Sequence, residues 1–152
     1  MTSYAPLFAR KNATNWNPDL IYFDNERPFL TCSYYIQQMF GQSSGQYYYG
    51  DCVTIDDATN LQGQSVVLNT KTRRLYVKLC NASADTKTAT VDLSRFRSLK
   101  KQATKTVLTG QPEDENNYDQ QPVSPQTTTI KAEKKMKLTL APYSFTMIEL
   151  AL

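Results

Sequence analysis

Histidine is absent from the 152 residues. That single absence excludes Ser-His and Cys-His nucleophile pairs, imidazole metal ligands and imidazole general bases. Cysteine is scarce and odd in number: Cys32, Cys52 and Cys80 are far apart, and no CxxC pair exists. A zinc cluster and a disulfide framework are both disfavoured, and buried free thiols are the expected state, with one bridged pair open to an oxidising compartment. No run approaches the roughly 20 apolar residues of a membrane-spanning helix, and residues 1–20 lack the order of charge, apolar run and small residues that marks a signal peptide. Charge of one sign is also lacking. Seventeen basic against fourteen acidic residues leave a formal +3. The basic doublets Arg73-Arg74, Lys100-Lys101 and Lys134-Lys135 are scattered, read as solvated surface, and accompany no nucleic-acid motif.

What is present is enough for one globular domain, or one domain with a short attached element. Forty per cent of the residues are apolar, and ten Tyr and six Phe supply large surfaces to bury. The run Leu20–Phe23, LIYF, is bounded by Pro18-Asp19 and Asp24-Asn25. Its lack of alternation suits a strand buried on both faces. Pro28 then reads as a break. Thr31 is placed to cap a helix starting at Cys32 or Ser33, with Tyr35, Ile36, Met39 and Phe40 forming one apolar stripe and Gly41 and Gly45 as candidate stops. A strand followed by a helix is half of a βαβ unit and cannot close a core by itself.

From about Gln46 the period changes to two. Leu75, Val77 and Leu79 alternate with polar neighbours, as do Ala89, Val91 and Leu93, and Leu138 and Leu140. Further strands are expected over 47–55, 64–68, 105–109, 127–131 and 145–150. The fold class expected is therefore mainly β: an antiparallel, jelly-roll-like β-sandwich of about eight strands, preceded by one strand and one helix. Residues 110–126 form the one long irregular segment, rich in Pro, Asp, Asn and Gln, of a kind that often packs on a neighbour.

Chemistry without histidine would rest on carboxylates, and a retaining glycosidase holds its pair about 5–5.5 Å apart. Nearly all the carboxylates here lie in turns or in the long loop, where hydration is the ordinary state. Asp56-Asp57 and the 113–115 acidic run do not have EF-hand spacing and read as solvated turns. The sharper candidate is Trp16-Asn17-Pro18-Asp19. An indole beside amide and carboxylate groups offers a sugar both an apolar face and hydrogen-bond partners. The competing reading puts Trp16 over the edge of a core with Asp19 capping a turn. Tyr47-Tyr48-Tyr49 is a second aromatic cluster. In a continuous strand Tyr47 and Tyr49 would share one face and Tyr48 the other.

The order SYAPLF, NWNPDLIYFDN, SYYIQQMF and SSG resembles the end of the catalytic barrel of family 51 glycoside hydrolases, the α-L-arabinofuranosidases. The resemblance is closest to their plant-like and Bacteroidetes-like branch. It continues through KTVLTGQPEDENNYDQQPVSPQ to LAPYSFTMIEL, which is similar to that family's C-terminal β-sandwich, so it covers nearly the whole chain. It implies that residues 1–45 are the eighth β/α unit of a (β/α)8 barrel and residues 46–152 the sandwich after it. The family's two catalytic glutamates would both lie upstream, so no catalytic residue is expected here, and the chain would be the C-terminal third or so of its parent. The substrate-binding residues implied are Trp16 and Asn17. The parent's chemistry would be retaining, needing no metal or organic cofactor, with arabinose-containing glycans as substrates in a periplasmic or extracellular setting. Its partners would be the upstream barrel residues, with a second copy of the chain as an oligomer, and neither nucleic acid nor membrane. A free-standing carbohydrate-binding module, using the three tyrosines, and a purely structural or assembly domain are the competing readings. The strand Leu20–Phe23 and the stripe Tyr35/Met39/Phe40, deprived of barrel neighbours, are expected to self-associate or to pack on the sandwich.

Overall fold

The structure, a computed structural model, describes residues 3–152. It begins with a small three-stranded sheet. Strands β1 (Phe8–Arg10) and β2 (Ile21–Phe23) run parallel, and β3 (Pro28–Leu30) is antiparallel to β2. The expected strand is β2, and the structure adds its two neighbours. Pro28 opens β3 instead of ending the extended chain. Having no N–H, it is tolerated as the first residue of an edge strand. The reversal before it is made by Asp24, whose Oδ1 accepts from the N–H groups of Glu26 and Arg27, both at 2.8 Å. The paired residues Tyr22 and Phe29 stack with ring centroids 4.7 Å apart.

Helix α1 (Cys32–Gln42) starts where the sequence places it. Thr31 Oγ1 accepts from Tyr34 N–H at 3.3 Å and donates to Leu20 O at 2.8 Å, so the cap also ties the helix to the residue entering β2. Gly41 is not the stop. The helix runs through it and ends at Ser43, whose N–H and hydroxyl satisfy the carbonyls of Phe40 and Met39.

Nine strands among the described residues form the sandwich. β4 (Tyr47–Tyr48), β6 (Gln62–Asn69), β7 (Arg74–Asn81), β9 (Gln102–Thr109), β10 (Gln126–Lys131) and β12 (Ser144–Ala151) make one sheet in the order β10-β9-β12-β7-β6-β4. β5 (Val53–Ile55), β8 (Lys87–Asp92) and β11 (Lys135–Leu140) make the other, in the order β11-β8-β5. All pairs within these sheets are antiparallel. The stretch 47–55, expected as one strand, is split between the layers because the chain turns at Gly50-Asp51. The core between the sheets holds Val66, Leu75, Val77, Leu79, Ile148 and Leu150 from the larger sheet, against Ala89, Val91 and Leu140 from the smaller.

A second core lies on the outer face of the six-stranded sheet, where α1 rests. Met39 packs with Leu108, Val123 and Phe145, flanked by Tyr35 and Ile36, and Phe40 stacks on Phe145 at 5.1 Å. The stripe expected either to self-associate or to pack on the sandwich does the latter. This also explains why β7 is buried on both faces, against a period-two expectation of one. On the outer face Lys78 is only 6% exposed, and its Nζ donates to Ser43 O at 2.7 Å, 5.1 Å from the centre of the Phe40 ring. Burial holds its ammonium pKa below the ordinary lysine value, and its position at a helix C-terminus favours the cation.

The loop 110–126 packs on the N-terminal sheet. Asn116, 2% exposed, donates to Leu30 O (3.0 Å) and Val123 O (2.7 Å) and accepts from Val123 N–H (3.0 Å). Arg27 donates to Tyr118 O at 2.9 Å, Tyr118 meets Phe29 edge-on at 4.6 Å, and Lys11 Nζ lies 4.2 Å above the Tyr118 ring. All three cysteines are free thiols. Cys52 is buried in the core, Cys32 and Cys80 are half-buried, and burial pushes the thiols of Cys52 and Cys80 up.

Three stability outcomes follow from these ties. Lys78→Ala removes the bond to the end of α1 and the stem that packs beneath it, and should cost about 2 kcal/mol in urea denaturation. Asn116→Ala leaves two carbonyls and an N–H unpaired, and should cost about 2–3 kcal/mol. An unchanged midpoint would remove the loop's anchoring role. The Ser94 hydroxyl and N–H, then Lys135, hold the half-exposed Asp92 carboxyl at about 2, below its ordinary 3.8. Its stabilising contribution is therefore full above the ordinary value and is lost as pH falls toward the depressed one. The stability gap between the parent chain and Asp92→Asn should shrink on acidification through that window, as read by thermal melts.

Candidate functional site

The segment between β1 and β2 is a turn built on Thr14. Its Oγ1 accepts from Trp16 N–H at 3.1 Å and lies within donating range of Trp16 O (3.2 Å) and Asp19 Oδ2 (3.4 Å). This arrangement leaves the Trp16 indole 71% exposed. It does not cover a core edge, which removes the competing reading for this residue within the chain. A cis peptide joins Asn17 to Pro18. Asn17 Oδ1 accepts from the Tyr22 hydroxyl at 2.6 Å, and Tyr22 Oη in turn accepts from Asp19 N–H at 2.8 Å. The amide of Asn17 is thus oriented by a phenol fixed on β2, and that phenol is itself braced by the Phe29 ring. Burial, ahead of the nearby Asp19 and Glu115 charges, raises the Tyr22 pKa, so the phenol stays protonated and keeps donating. Asp19, expected in a hydrated turn, is 1% exposed instead.

Asn17 lines a cleft of about 340 Å³ between the N-terminal unit and the long loop. Tyr22, Thr31 and Ser33 lie on its N-terminal side, and Asp114 and Glu115 face them from the loop. The buried Asn116 next in sequence fixes that facing wall. The result is an amide, a phenol, hydroxyls and two carboxylates around one opening, with an exposed indole beside it in sequence. Such groups can accept from and donate to several sugar hydroxyls while an aromatic face takes the C–H side of a ring. Asp114 is partly occupied, since its Oδ2 accepts from Gln111 N–H at 2.7 Å. Among the described residues no group of three or more Cys, Asp or Glu side chains could hold a metal ion.

Sequence reasoning singled out Trp16 and Asn17 and expected the loop carrying residues 114–117 to pack back on the N-terminal unit, as it does; it did not single out Tyr22. Tyr22 was hidden inside an apolar run, and the contribution of 114–116 depends on a contact across 86 residues. The tyrosine cluster is arranged differently from expectation. Tyr47 (58% exposed) and Tyr48 (62%) are the exposed pair, while Tyr49 packs edge-on against Phe96 at 5.1 Å with Arg95 over its ring. Strand β4 ends at Tyr48, so the chain turns Tyr49 into the core. Two successive residues of a strand face opposite ways and do not form one flat platform. A second cleft of about 350 Å³ lies where α1 meets the sandwich, and its walls are largely apolar.

Residues 1–144 match the family described as the α-L-arabinofuranosidase C-terminal domain. The chain is 32% identical to α-L-arabinofuranosidase 1 of Arabidopsis thaliana over 99% of its own length and 23% of that protein's. It is 34% identical to probable α-L-arabinofuranosidase A of Aspergillus oryzae, over 97% of this chain and 22% of the relative. Among solved structures it is similar to the arabinose-bound MgGH51 α-L-arabinofuranosidase. The TM-score is 0.88 at 27% identity, covering 98% of this chain and 24% of that one. The arabinose complex of the Thermotoga maritima enzyme shares the fold, with a TM-score of 0.70 at 17% identity over 88% of this chain and 32% of that one. The chain spans about a quarter of the length of the curated relatives it matches. With a family match over nearly all its length, and an antiparallel sandwich carrying a short strand-and-helix unit, the chain belongs to the C-terminal domain family of the family 51 α-L-arabinofuranosidases.

Proposed function

We propose that the chain is the C-terminal part of a retaining exo-acting enzyme that removes terminal α-L-arabinofuranosyl residues from arabinose-containing plant polysaccharides. On this reading residues 1–45 are the last β/α unit of a catalytic barrel, and residues 46–152 form the sandwich that stabilises it. The family match supports the assignment of class. The observation that carries the local reading is the exposed Trp16 beside an Asn17 amide oriented by Tyr22, at the mouth of a polar cleft. The barrel unit supplies one wall of that cleft and the sandwich loop the other.

The two glutamates of the double displacement would come from the upstream part of the enzyme, where the covalent arabinosyl intermediate forms and is hydrolysed. What this chain contributes is binding and support. Trp16 offers a face to the sugar, Asn17 hydrogen-bonds it, and the ties through Lys78 and Asn116 keep both in place. Among the described residues strand β1 has a neighbour on only one side, and Leu7 before it and Phe8 within it are exposed. That edge is where further barrel strands would pair, or a second copy of the chain in their absence.

In the longer enzyme, Trp16→Ala and Asn17→Ala should each lower kcat/KM for arabinan oligosaccharides by about tenfold or more. The 152-residue chain alone should release no arabinose. Unchanged kinetics in both variants would overturn the binding role. Hydrolysis by the chain alone would overturn the division of labour. Calorimetric titration of the chain with arabino-oligosaccharides separates this reading from a free-standing binding module. Saturable heat that is lost in Tyr47→Ala or Tyr48→Ala and kept in Trp16→Ala would favour the module.

A further inference from the structure

The two sheets of the sandwich meet at one open side. There β10 is the edge of the larger sheet and β11 the edge of the smaller, joined by the short turn at 132–134. A cleft of about 280 Å³ opens between them. Its walls carry four lysines, Lys105, Lys131, Lys135 and Lys137, and one carboxylate, Glu133. Removing these four lysines and one glutamate from the 17 basic and 14 acidic residues leaves 13 of each. The whole formal net charge of the chain is therefore concentrated in this cleft.

Two of the four cations are neutralised. Lys131 pairs with Glu133 at 2.6 Å and Lys135 with Asp92 at 3.3 Å. Lys105 and Lys137 make no ion pair among the described residues. Lysines on edge strands commonly serve to discourage edge-to-edge pairing. That function accounts for Lys131, Lys135 and Lys137. It does not account for Lys105, which sits on β9, bonded on one side to β10 and on the other to β12. Its half-buried side chain lines the cleft, where the one carboxylate, Glu133, is engaged by Lys131. An unpaired cation held in a concave site, over apolar residues such as Met136 and Leu138, matches an anion carried on a partly apolar body.

We propose that this cleft binds the carboxylate of a uronic-acid residue in an acidic polysaccharide, with Lys105 and Lys137 as the charge partners. A sugar acid presents a carboxylate for the ammonium groups and a C–H face for the apolar floor, and the cleft volume suits one sugar ring. A nucleic acid would need a basic track following successive phosphates, whereas these lysines line one cleft of about 280 Å³. The cleft shares no residue with the one at Asn17. The choice of a sugar acid over other anions rests on the polysaccharide-acting role proposed above.

The test is affinity electrophoresis of the 152-residue chain at low ionic strength in gels containing polygalacturonate, neutral debranched arabinan, polyphosphate or single-stranded RNA. Galacturonate titration followed by backbone NMR would locate the site. Retardation by polygalacturonate but not by neutral arabinan is expected, weakening with added salt, with shifts confined to β9, β10 and β11. The pair Lys105→Gln with Lys137→Gln should weaken the affinity by about tenfold or more. Lys137→Gln alone, at an exposed position that does not threaten folding, should weaken it severalfold. Trp16→Ala should leave it unchanged, so failure of the arabinose-site reading is scored separately from failure of this one. No retardation by polygalacturonate, retardation indifferent to Lys137→Gln, or tighter binding to polyphosphate or RNA would each overturn the proposal.

Discussion

The N-terminal third of this chain depends on one buried ammonium. Lys78 lies in a strand at the middle of the six-stranded sheet, yet its side chain leaves the sandwich to hold the last carbonyl of the helix-end cap at Ser43. A lysine in such a place is costly unless its charge is answered. The C-terminal dipole of α1, the Ser43 carbonyl and the Phe40 ring answer it together. Once that end is fixed, Met39 and Phe40 are held over Phe145, and the other end of the helix presents Thr31 to Leu20. Helix position, entry into β2 and the turn carrying Asn17 then follow from a single anchor on the sheet.

The long loop supplies the opposing constraint. Asn116 is a buried amide whose three bonds close the loop on itself and on the end of β3. The Phe29–Tyr118 contact and the Arg27 bond extend the same seam. The N-terminal unit and the loop are thus joined in part through the buried Asn116 amide, where an unmade bond is expensive. The cleft at Asn17 lies along this seam, so each wall is positioned by a different part of the sequence. A loop far along the sequence can in this way fix the geometry of a cleft whose other wall is N-terminal.

Much of the architecture was legible in the residues. The alternation at 75–79, 89–93 and 138–140 gave strands in the right places, and Thr31 capped the helix as its hydroxyl and spacing suggested. Strands β1 and β3 were not legible. Each is three residues long, and β3 begins at a proline, so neither carries enough periodic signal to separate it from a turn. The stretch 47–55 failed for a different reason. Its residues suit a strand throughout, and only the pairing of Tyr47-Tyr48 with one sheet and Val53–Ile55 with the other shows the break. At the site, the pairing of indole with amide at 16–17 was visible as chemistry, while its exposure was not.

The sequence by itself determined the secondary-structure periods, the helix start, the absence of any imidazole chemistry and the family resemblance. These depend on residue type and on neighbours a few positions away. Tertiary structure alone decided which face of β7 the helix covers, that Asp19 and Asn116 are buried, that Trp16 is not, and that four lysines from three strands share one cleft. Each of these rests on contacts between residues tens of positions apart, such as the 35 separating Ser43 from Lys78 and the 86 separating Leu30 from Asn116. Local sequence specifies which hydrogen-bonding and charged groups exist. Only the packed chain determines which of them lose water and must find one another.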